Sequence, residues 1–178
     1  MTNSYTWATQ FRALFDRCLA KYKAGSEDPA LWFDQNDLEF LQSIGCKPRE
    51  LFDFVDDHAN GAGEEPSVET ALLVAAVRRD YFMVEQKGVS STKTIPPSAL
   101  PAKSAALDGV EWLPRILAKA EAKLRGEMDP DTMFGCGGDR AFLSRHHLHP
   151  ADFLRVVWSA HGDSGKVLAF VKASDPSA

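Results

Sequence analysis

The stretch DPDTMFGCGGDRAFLSRHHLHP, residues 129–150, decides the fold, because the chain contains a diverged second version of it, DPALWFDQNDLEFLQSIGCKP, at residues 28–48. Both versions begin with Asp-Pro, continue with an Asp-x-x-Phe-Leu run and end on a proline seven residues beyond that leucine. The offset between them is 129 − 28 = 101 at the start and 150 − 48 = 102 at the end, so the later version has one residue more. This echo predicts an internal duplication.

Apolar residues recur every three or four positions around both versions, which is the period of an amphipathic helix. A helix is predicted before each version. The apolar face of the first consists of Trp7, Phe11, Leu14, Phe15, Cys18, Leu19 and Tyr22, and that of the second consists of Leu113, Ile116, Leu117, Ala120 and Leu124. Pro48 and Pro150 each predict the first turn of a later helix, because proline fits that position without loss of a hydrogen bond. Asp37 and Asp139 are predicted to cap the helices before these prolines.

These patterns predict an all-α protein of two tandem, internally duplicated helical units with three to four helices each. The first unit covers residues 7–87 and the second covers residues 110–173. Residues 88–109 contain three prolines and several Ser and Thr without a helical stripe, so they predict an extended connector. Because two units are too few for an open solenoid, we expect one compact bundle about a pseudo-twofold.

The charge distribution bears on the kind of partner. The formal net charge is −5, and no face combines aromatic and basic residues, so a nucleic acid partner is not expected. Residues 7–87 hold nine basic and fifteen acidic side chains, a net of −6, whereas residues 110–173 hold nine and eight, a net of +1. A site for a small anion is therefore expected in the second half.

The composition also predicts where the protein works. No apolar run approaches the roughly 20 residues of a bilayer span, and the first ten residues lack the pattern of a signal peptide. Three widely spaced cysteines without a Cys-x-x-Cys pair are typical of reduced thiols. We expect a cytoplasmic protein that neither spans nor binds a membrane.

The second half also carries a family resemblance. Its residues include a Trp-Leu-Pro-Arg run at 112–115, Lys119, Gly126, the run FGCGGDRAFL at 134–143 and Ala-Asp-Phe-Leu at 151–154. In these motifs the chain resembles the bacterial domain-of-unknown-function family 5069. The resemblance covers roughly the last 80 residues, and it reaches the first half only through the internal echo. It implies a bacterial protein, and it implies no activity and no cofactor.

Residues special to one version are the candidates for function, because folding alone explains those present in both. The loop Gly135–Arg140 is glycine-rich, whereas its counterpart has no glycine. Backbone N–H groups before a helix can bind an anion, and a helix N-terminus favours the thiolate form of a cysteine such as Cys136. The simpler alternative is a tight turn with an incidental cysteine. Cys18 and Cys46 correspond in sequence to apolar residues of the other version, so both are predicted to be core residues.

Five further side chains enter the site hypotheses. Asp139, Arg140 and Arg115, together with Gly137 and Gly138, are candidate ligand-binding residues beside Cys136. His146 and His149 have a spacing that could hold a divalent metal. Because histidines near a helix C-terminus interact favourably with its dipole without a metal, we favour the reading without one.

Two functions stay open. The first is a binding or interaction module without chemistry of its own, acting on an unknown protein partner or through self-association. The second is a small-molecule protein, binding an anionic ligand or acting as an enzyme, which uses the Gly135–Arg140 loop and Cys136. The absence of a recognisable nucleophile motif favours the first.

Overall fold

The computed structural model describes residues 6–26, 28–61 and 65–174, and the chain divides into two compact units between Val89 and Ser90. The described part of the first unit contains four α-helices: α1 (Trp7–Lys23), α2 (Gln35–Ser43), α3 (Pro48–Asn60) and α4 (Val68–Val84). A short 3-10 turn, Pro29–Leu31, lies between α1 and α2. Helix α1 packs against both α3 and α4, and this contact forms the core of the unit.

The predicted stripe of α1 forms this core. Phe11, Leu14, Phe15 and Cys18 are all buried, as are Leu51, Phe54 and Val55 of α3, the helix against which α1 packs most extensively. The aromatic side chain of Trp32 is also buried, with its ring centroid 4.7 Å from that of Phe52 and its Nε1 donating to the carbonyl of Ser26 at 2.9 Å. Burial of these side chains is the main stabilising term of such a unit.

Helix α4 begins with a side-chain cap, in which the Ser67 hydroxyl accepts from the N–H of Thr70 at 3.1 Å. Helix α4 also carries a buried charged side chain. Arg78 is fully buried on it, stacks on the Phe82 ring at 5.3 Å and donates to Gln86 Oε1 at 2.8 Å. Burial lowers the pKa of this guanidinium, and a nearby carboxylate opposes the effect.

The second unit consists of a hairpin followed by four helices in its described part. Its elements are β1 (Ala106–Leu107), β2 (Val110–Glu111), α5 (Leu113–Arg125), α6 (Gly137–Arg145), α7 (Pro150–Ala160) and α8 (Ser164–Ala173). Helix α7 lies between α5 and α8 and packs against both, and β1 packs on α5. Pro150 opens α7, as predicted, and the Asp163 carboxylate caps α8.

The segment 88–109, which was predicted as an extended connector, contains regular structure. It contains a 3-10 turn, Pro97–Ala99, and the antiparallel hairpin of β1 and β2. Asp108 and Gly109, between the strands, both have positive φ, at 48° and 80°. An Asp-Gly pair is the preferred turn of a two-residue hairpin, so this was a readable signal. The connector also forms a backbone hydrogen bond to the second unit, in which the Ile95 N–H donates to the Glu127 carbonyl at 2.8 Å.

The all-α fold class is confirmed, and β pairing among the described residues is limited to the two-residue strands and an isolated bridge between Ile95 and Met128. The two units have the same number of helices in their described parts, and α2 and α6 have nine residues each and begin 102 positions apart, whereas the other corresponding helices differ in length. The duplication and the pseudo-twofold stay predictions. Within the described residues, no helix combines the length and the apolar content that crossing a bilayer requires.

Candidate functional site

The candidate site lies where α5 meets the start of α6, and the buried carboxylate of Asp139 is its centre. Trp112 Nε1 donates to Asp139 Oδ1 at 2.9 Å, and Gly135 N–H donates to Oδ2 at 3.0 Å. The Lys119 ammonium makes a close ion pair with Oδ2. Neither charged side chain reaches solvent appreciably, at 3% exposure for the lysine and 0% for the aspartate. A charge pair this deeply buried is stable only when further donors satisfy it, and here they do.

Asp139 is not the predicted N-cap of α6, and Asp37 is likewise the third residue of α2, whose N-cap is Asp34. The capping position belongs to Cys136, whose backbone is extended, and Asp139 is the third residue of α6. Gly135 has a φ of 91°, a left-handed conformation that glycine adopts readily, and it turns the chain just before the helix. Because of this turn, the Asp139 side chain reaches back to the Gly135 N–H instead of capping the helix from outside it.

Trp112 holds the other side of the cluster. It has a left-handed backbone at φ 70°, between the hairpin and α5, and its N–H donates to the Ala105 carbonyl at 3.0 Å. Its indole packs directly on Gly138, where an added Cβ would lie 2.4 Å from Trp112 Cζ2. Only glycine at this position allows the indole to reach Asp139.

Cys136 meets the buried lysine. Lys119 Nζ lies 3.2 Å from Cys136 Sγ, within hydrogen-bonding distance of a sulfur acceptor, and the cysteine itself is half-buried. The thiol therefore has a cation on one side and the N-terminus of a nine-residue helix behind it, in a residue that is only partly buried. A neighbouring cation and a helix N-terminus are the two features that favour a reactive thiolate in proteins.

The other two cysteines are in the opposite situation. Cys18 and Cys46 are both buried, as predicted for core residues. Burial raises the pKa of Cys18 to about 11, with Asp37 adding to the effect and Arg17 and Lys21 opposing it. At neutral pH Cys18 is therefore a protonated, inert thiol.

The remaining predicted ligand residues are engaged within the fold. Arg140 Nη1 donates to the Gly135 carbonyl at 2.8 Å and so helps to hold the loop in place. Arg115 Nη1 donates to the carbonyl of Pro101 at 2.6 Å, which ties α5 to the connector. Gly137 is exposed, whereas Gly138 supports the Trp112 ring. The structure thus brings Cys136 and Asp139 together and assigns the two arginines to backbone carbonyls.

Sequence reasoning missed the functional importance of Lys119 and Trp112, although both stood in the quoted motifs. A signal was present for the lysine, because it follows Ile116 by three residues and so falls on the buried face of α5. A charged residue on a predicted core face needs a partner, and Asp139 is that partner. Nothing in the sequence indicates which carboxylate it is.

The two candidate metal ligands have different surroundings. His146 is buried with its ring centroid 4.7 Å from that of Phe142. His149 precedes α7 as its N-cap, with Nδ1 accepting from the Ala151 N–H at 3.2 Å. Among the residues that the structure describes, no group of three or more His, Cys, Asp or Glu side chains could hold a metal ion.

Comparison of the chain with protein families, with curated proteins and with solved structures found no match. The resemblance to family 5069 therefore stays a prediction, and the function has to be argued from the site itself.

Proposed function

We propose that this chain is a small-molecule binding protein that acts through the thiol of Cys136. The observation that supports it most is the 3.2 Å contact between Lys119 Nζ and Cys136 Sγ. Its ligand class is a small electrophile that reacts with the sulfur of this half-buried residue. The ammonium group already contacts the Asp139 carboxylate and the Cys136 sulfur, so an external anion such as phosphate is not the expected ligand.

The rest of the cluster has a positioning role in this proposal. Asp139 holds the lysine in place, and Trp112 and Gly135 hold Asp139 in turn. Because the ammonium is buried, water screens its charge less than that of a surface lysine, and its effect on the neighbouring sulfur is correspondingly larger. Covalent capture at one thiol requires no further catalytic group, so the proposal does not make the chain an enzyme.

The experiment is the rate of alkylation by iodoacetamide at neutral pH, followed at each cysteine by peptide mass spectrometry. We expect Cys136 to react while Cys18 and Cys46 stay unmodified in the folded protein, because the latter two are buried. Phosphate in the same buffer serves as the probe for a competing anion, and we expect it to leave the rate unchanged. A Cys136 that reacts no faster than a free thiol contradicts the proposal.

A double variant, Lys119→Met with Asp139→Asn, is the matched control. It removes the buried charge pair as a whole, which proteins tolerate far better than the loss of one partner. The asparagine oxygen still accepts from the Trp112 indole. We expect the alkylation rate of Cys136 to fall roughly tenfold with the ammonium gone. An unchanged rate would show that the lysine does not act on the sulfur.

A second candidate function is self-association through α4, in line with an interaction module. Leu73 and Val84 lie three helical turns apart on one face of α4 and are exposed at 41% and 51%. Light scattering of the wild type and of a Leu73→Glu, Val84→Glu variant tests it. An oligomeric wild type together with a monomeric variant supports this candidate, and a strictly monomeric wild type excludes it.

We also propose that the protein works in the reducing environment of a bacterial cytoplasm. None of the three cysteines forms a disulfide, and a reducing compartment keeps a reactive thiol such as Cys136 available. Mass spectrometry of thiols trapped in intact cells tests this, and a disulfide at Cys136 under ordinary growth contradicts it.

A further inference from the structure

We infer that Cys136 and Lys119 are joined by a covalent sulfur–nitrogen bond when a hydroperoxide oxidises the thiol. This inference rests on the proposed function, since it needs a reactive Cys136. It adds a specific modification, a reversible bridge between α5 and α6. The two reacting atoms are already neighbours, with Lys119 Nζ 3.2 Å from Cys136 Sγ.

The oxidant enters in the first step. The Cys136 thiol attacks a peroxide oxygen, the O–O bond breaks, and the products with hydrogen peroxide are a sulfenic acid and one water. Sulfur is oxidised by two electrons, and the peroxide is reduced by the same two. Because the cysteine is half-buried and α6 begins directly behind it, a small oxidant reaches the sulfur while larger thiols have poorer access.

The second step closes the bridge. The Lys119 nitrogen attacks the sulfur of the sulfenic acid, the S–O bond breaks, and the hydroxyl group leaves as water with one proton from nitrogen. For this attack the ammonium must lose a further proton, and the Asp139 carboxylate in contact with it accepts that proton. The overall change is thiol plus amine plus hydrogen peroxide to sulfenamide plus two waters, so the protein loses two hydrogen atoms.

The buried ion pair is what makes this outcome specific to the site. A bridged nitrogen is no longer cationic, and an isolated carboxylate in the same place would be costly. Proton transfer from Lys119 to Asp139 neutralises both groups together, so no uncompensated charge is left. The protonated carboxyl keeps an oxygen for the Trp112 indole and for the Gly135 N–H, and these two donors hold it in place throughout.

Lys119 is also the amine best placed among the neighbours that the structure describes. It is held within reach of the sulfur by its ion pair, and its side chain is buried and therefore ordered. Arg140, on the same helix as the loop, is turned to the Gly135 carbonyl, and a guanidinium is a poor nucleophile because it stays protonated. The sulfenic acid therefore meets the lysine before a second thiol.

The experiment treats the full-length protein with a small excess of hydrogen peroxide and digests it with trypsin without reducing agent. We expect residues 116–123 to appear joined to residues 126–140, with a mass two hydrogen atoms below the sum of the separate peptides. Dithiothreitol should separate them again, because sulfenamides are reducible. Loss of two hydrogens on the 126–140 peptide alone would place the bond on a backbone nitrogen and overturn the inference.

A Lys119→Arg variant is the control, since it keeps the positive charge and removes the nucleophilic amine. In it, we expect no joined peptides and a sulfenic acid at Cys136 that dimedone traps at least several-fold more than in the wild type. Equal trapping in both proteins, without joined peptides, overturns the inference. Because the wild-type digest needs no substitution, a variant that fails to fold does not remove the test.

The two proposals fail separately. If iodoacetamide labels Cys136 selectively and peroxide yields no joined peptides, the bridge is wrong and the reactive thiol stands. If Cys136 reacts with neither reagent, both are wrong.

Discussion

Each unit has an ion pair between its first two helices, α1 and α2 or α5 and α6, and the two pairs differ in their environment. Arg17 and Asp37 are twenty residues apart and form an ion pair, and Lys119 and Asp139 are also twenty residues apart and form one. In the first unit the arginine is 53% exposed, whereas in the second both partners are buried. The second unit also places Cys136 at the N-cap of α6, where the first unit has Asp34 at the N-cap of α2.

The difference shows how a folding device differs from a candidate site. In the first unit Asp34 and Asp37 form a capping box, and the arginine adds a charge partner at the surface. In the second unit the cap side chain is a thiol without a capping bond, and the carboxylate serves a buried lysine. The positions that cap the start of a helix in one unit therefore bring a thiol, an amine and a carboxylate together in the other.

Neutralising the two aspartates should break the comparison most clearly. We expect Asp139→Asn to lower the free energy of unfolding by about 3–5 kcal/mol, because it leaves a buried ammonium without its counter-charge. Asp37→Asn should cost about 1 kcal/mol, because its arginine remains solvated. Urea unfolding curves measure both. Equal losses at the two positions would mean that burial of the second pair has no energetic consequence.

Adding one methyl group on α6 should sharpen the role of Trp112. We expect Gly138→Ala to cost about 1–3 kcal/mol, because the new Cβ would lie 2.4 Å from the indole and push it away from Asp139. Gly137→Ala is the matched control in the same helical turn, since its Cβ meets only Arg140 Nη2 at 4.0 Å. It should be neutral or stabilising by up to about 1 kcal/mol. Thermal unfolding measures both. A Gly138→Ala variant as stable as Gly137→Ala would show that the contact with the Trp112 indole does not contribute to stability.

The smallest expected effect contrasts the thiols. Burial raises the pKa of Cys18 from 9.0 to about 11, so the folded state holds this proton more tightly than the unfolded state. Its contribution to stability is therefore complete below about pH 9 and is lost as the pH rises through 11. Under reducing conditions, the wild type should lose more stability between pH 8 and pH 11 than Cys18→Ala. Parallel pH curves would show that Cys18 is not held as a neutral thiol.

Local signals in the sequence were sufficient for most of the fold. Pro48 and Pro150 begin helices because a proline at the first helical position loses nothing, and Ser67 caps α4 through its own hydroxyl. The apolar periodicity of α1 correctly placed Phe11, Leu14, Phe15 and Cys18 in the core. Each of these depends on residues a few positions apart, which the order of the chain displays directly.

The candidate site was only half predictable. Cys136 was singled out by its glycine-rich surroundings at a helix start, but the predicted cap at Asp139 was wrong because α6 begins at Gly137, with Cys136 as its N-cap three positions earlier than expected. Arg115 was expected beside the loop and binds the Pro101 carbonyl instead. The hairpin was missed as well, although Asp108-Gly109 is a favourable turn sequence.

By itself, the sequence determined that this chain is helical, where most helices begin and which thiols enter the core, because capping, proline geometry and apolar period act within one or two helical turns. Only the tertiary structure decided that Lys119 is buried against Asp139 and Cys136, seventeen to twenty residues further along the chain. Such a contact depends on how α5 and α6 pack. Packing sets the charge next to the thiol, and with it the chemistry proposed for this protein.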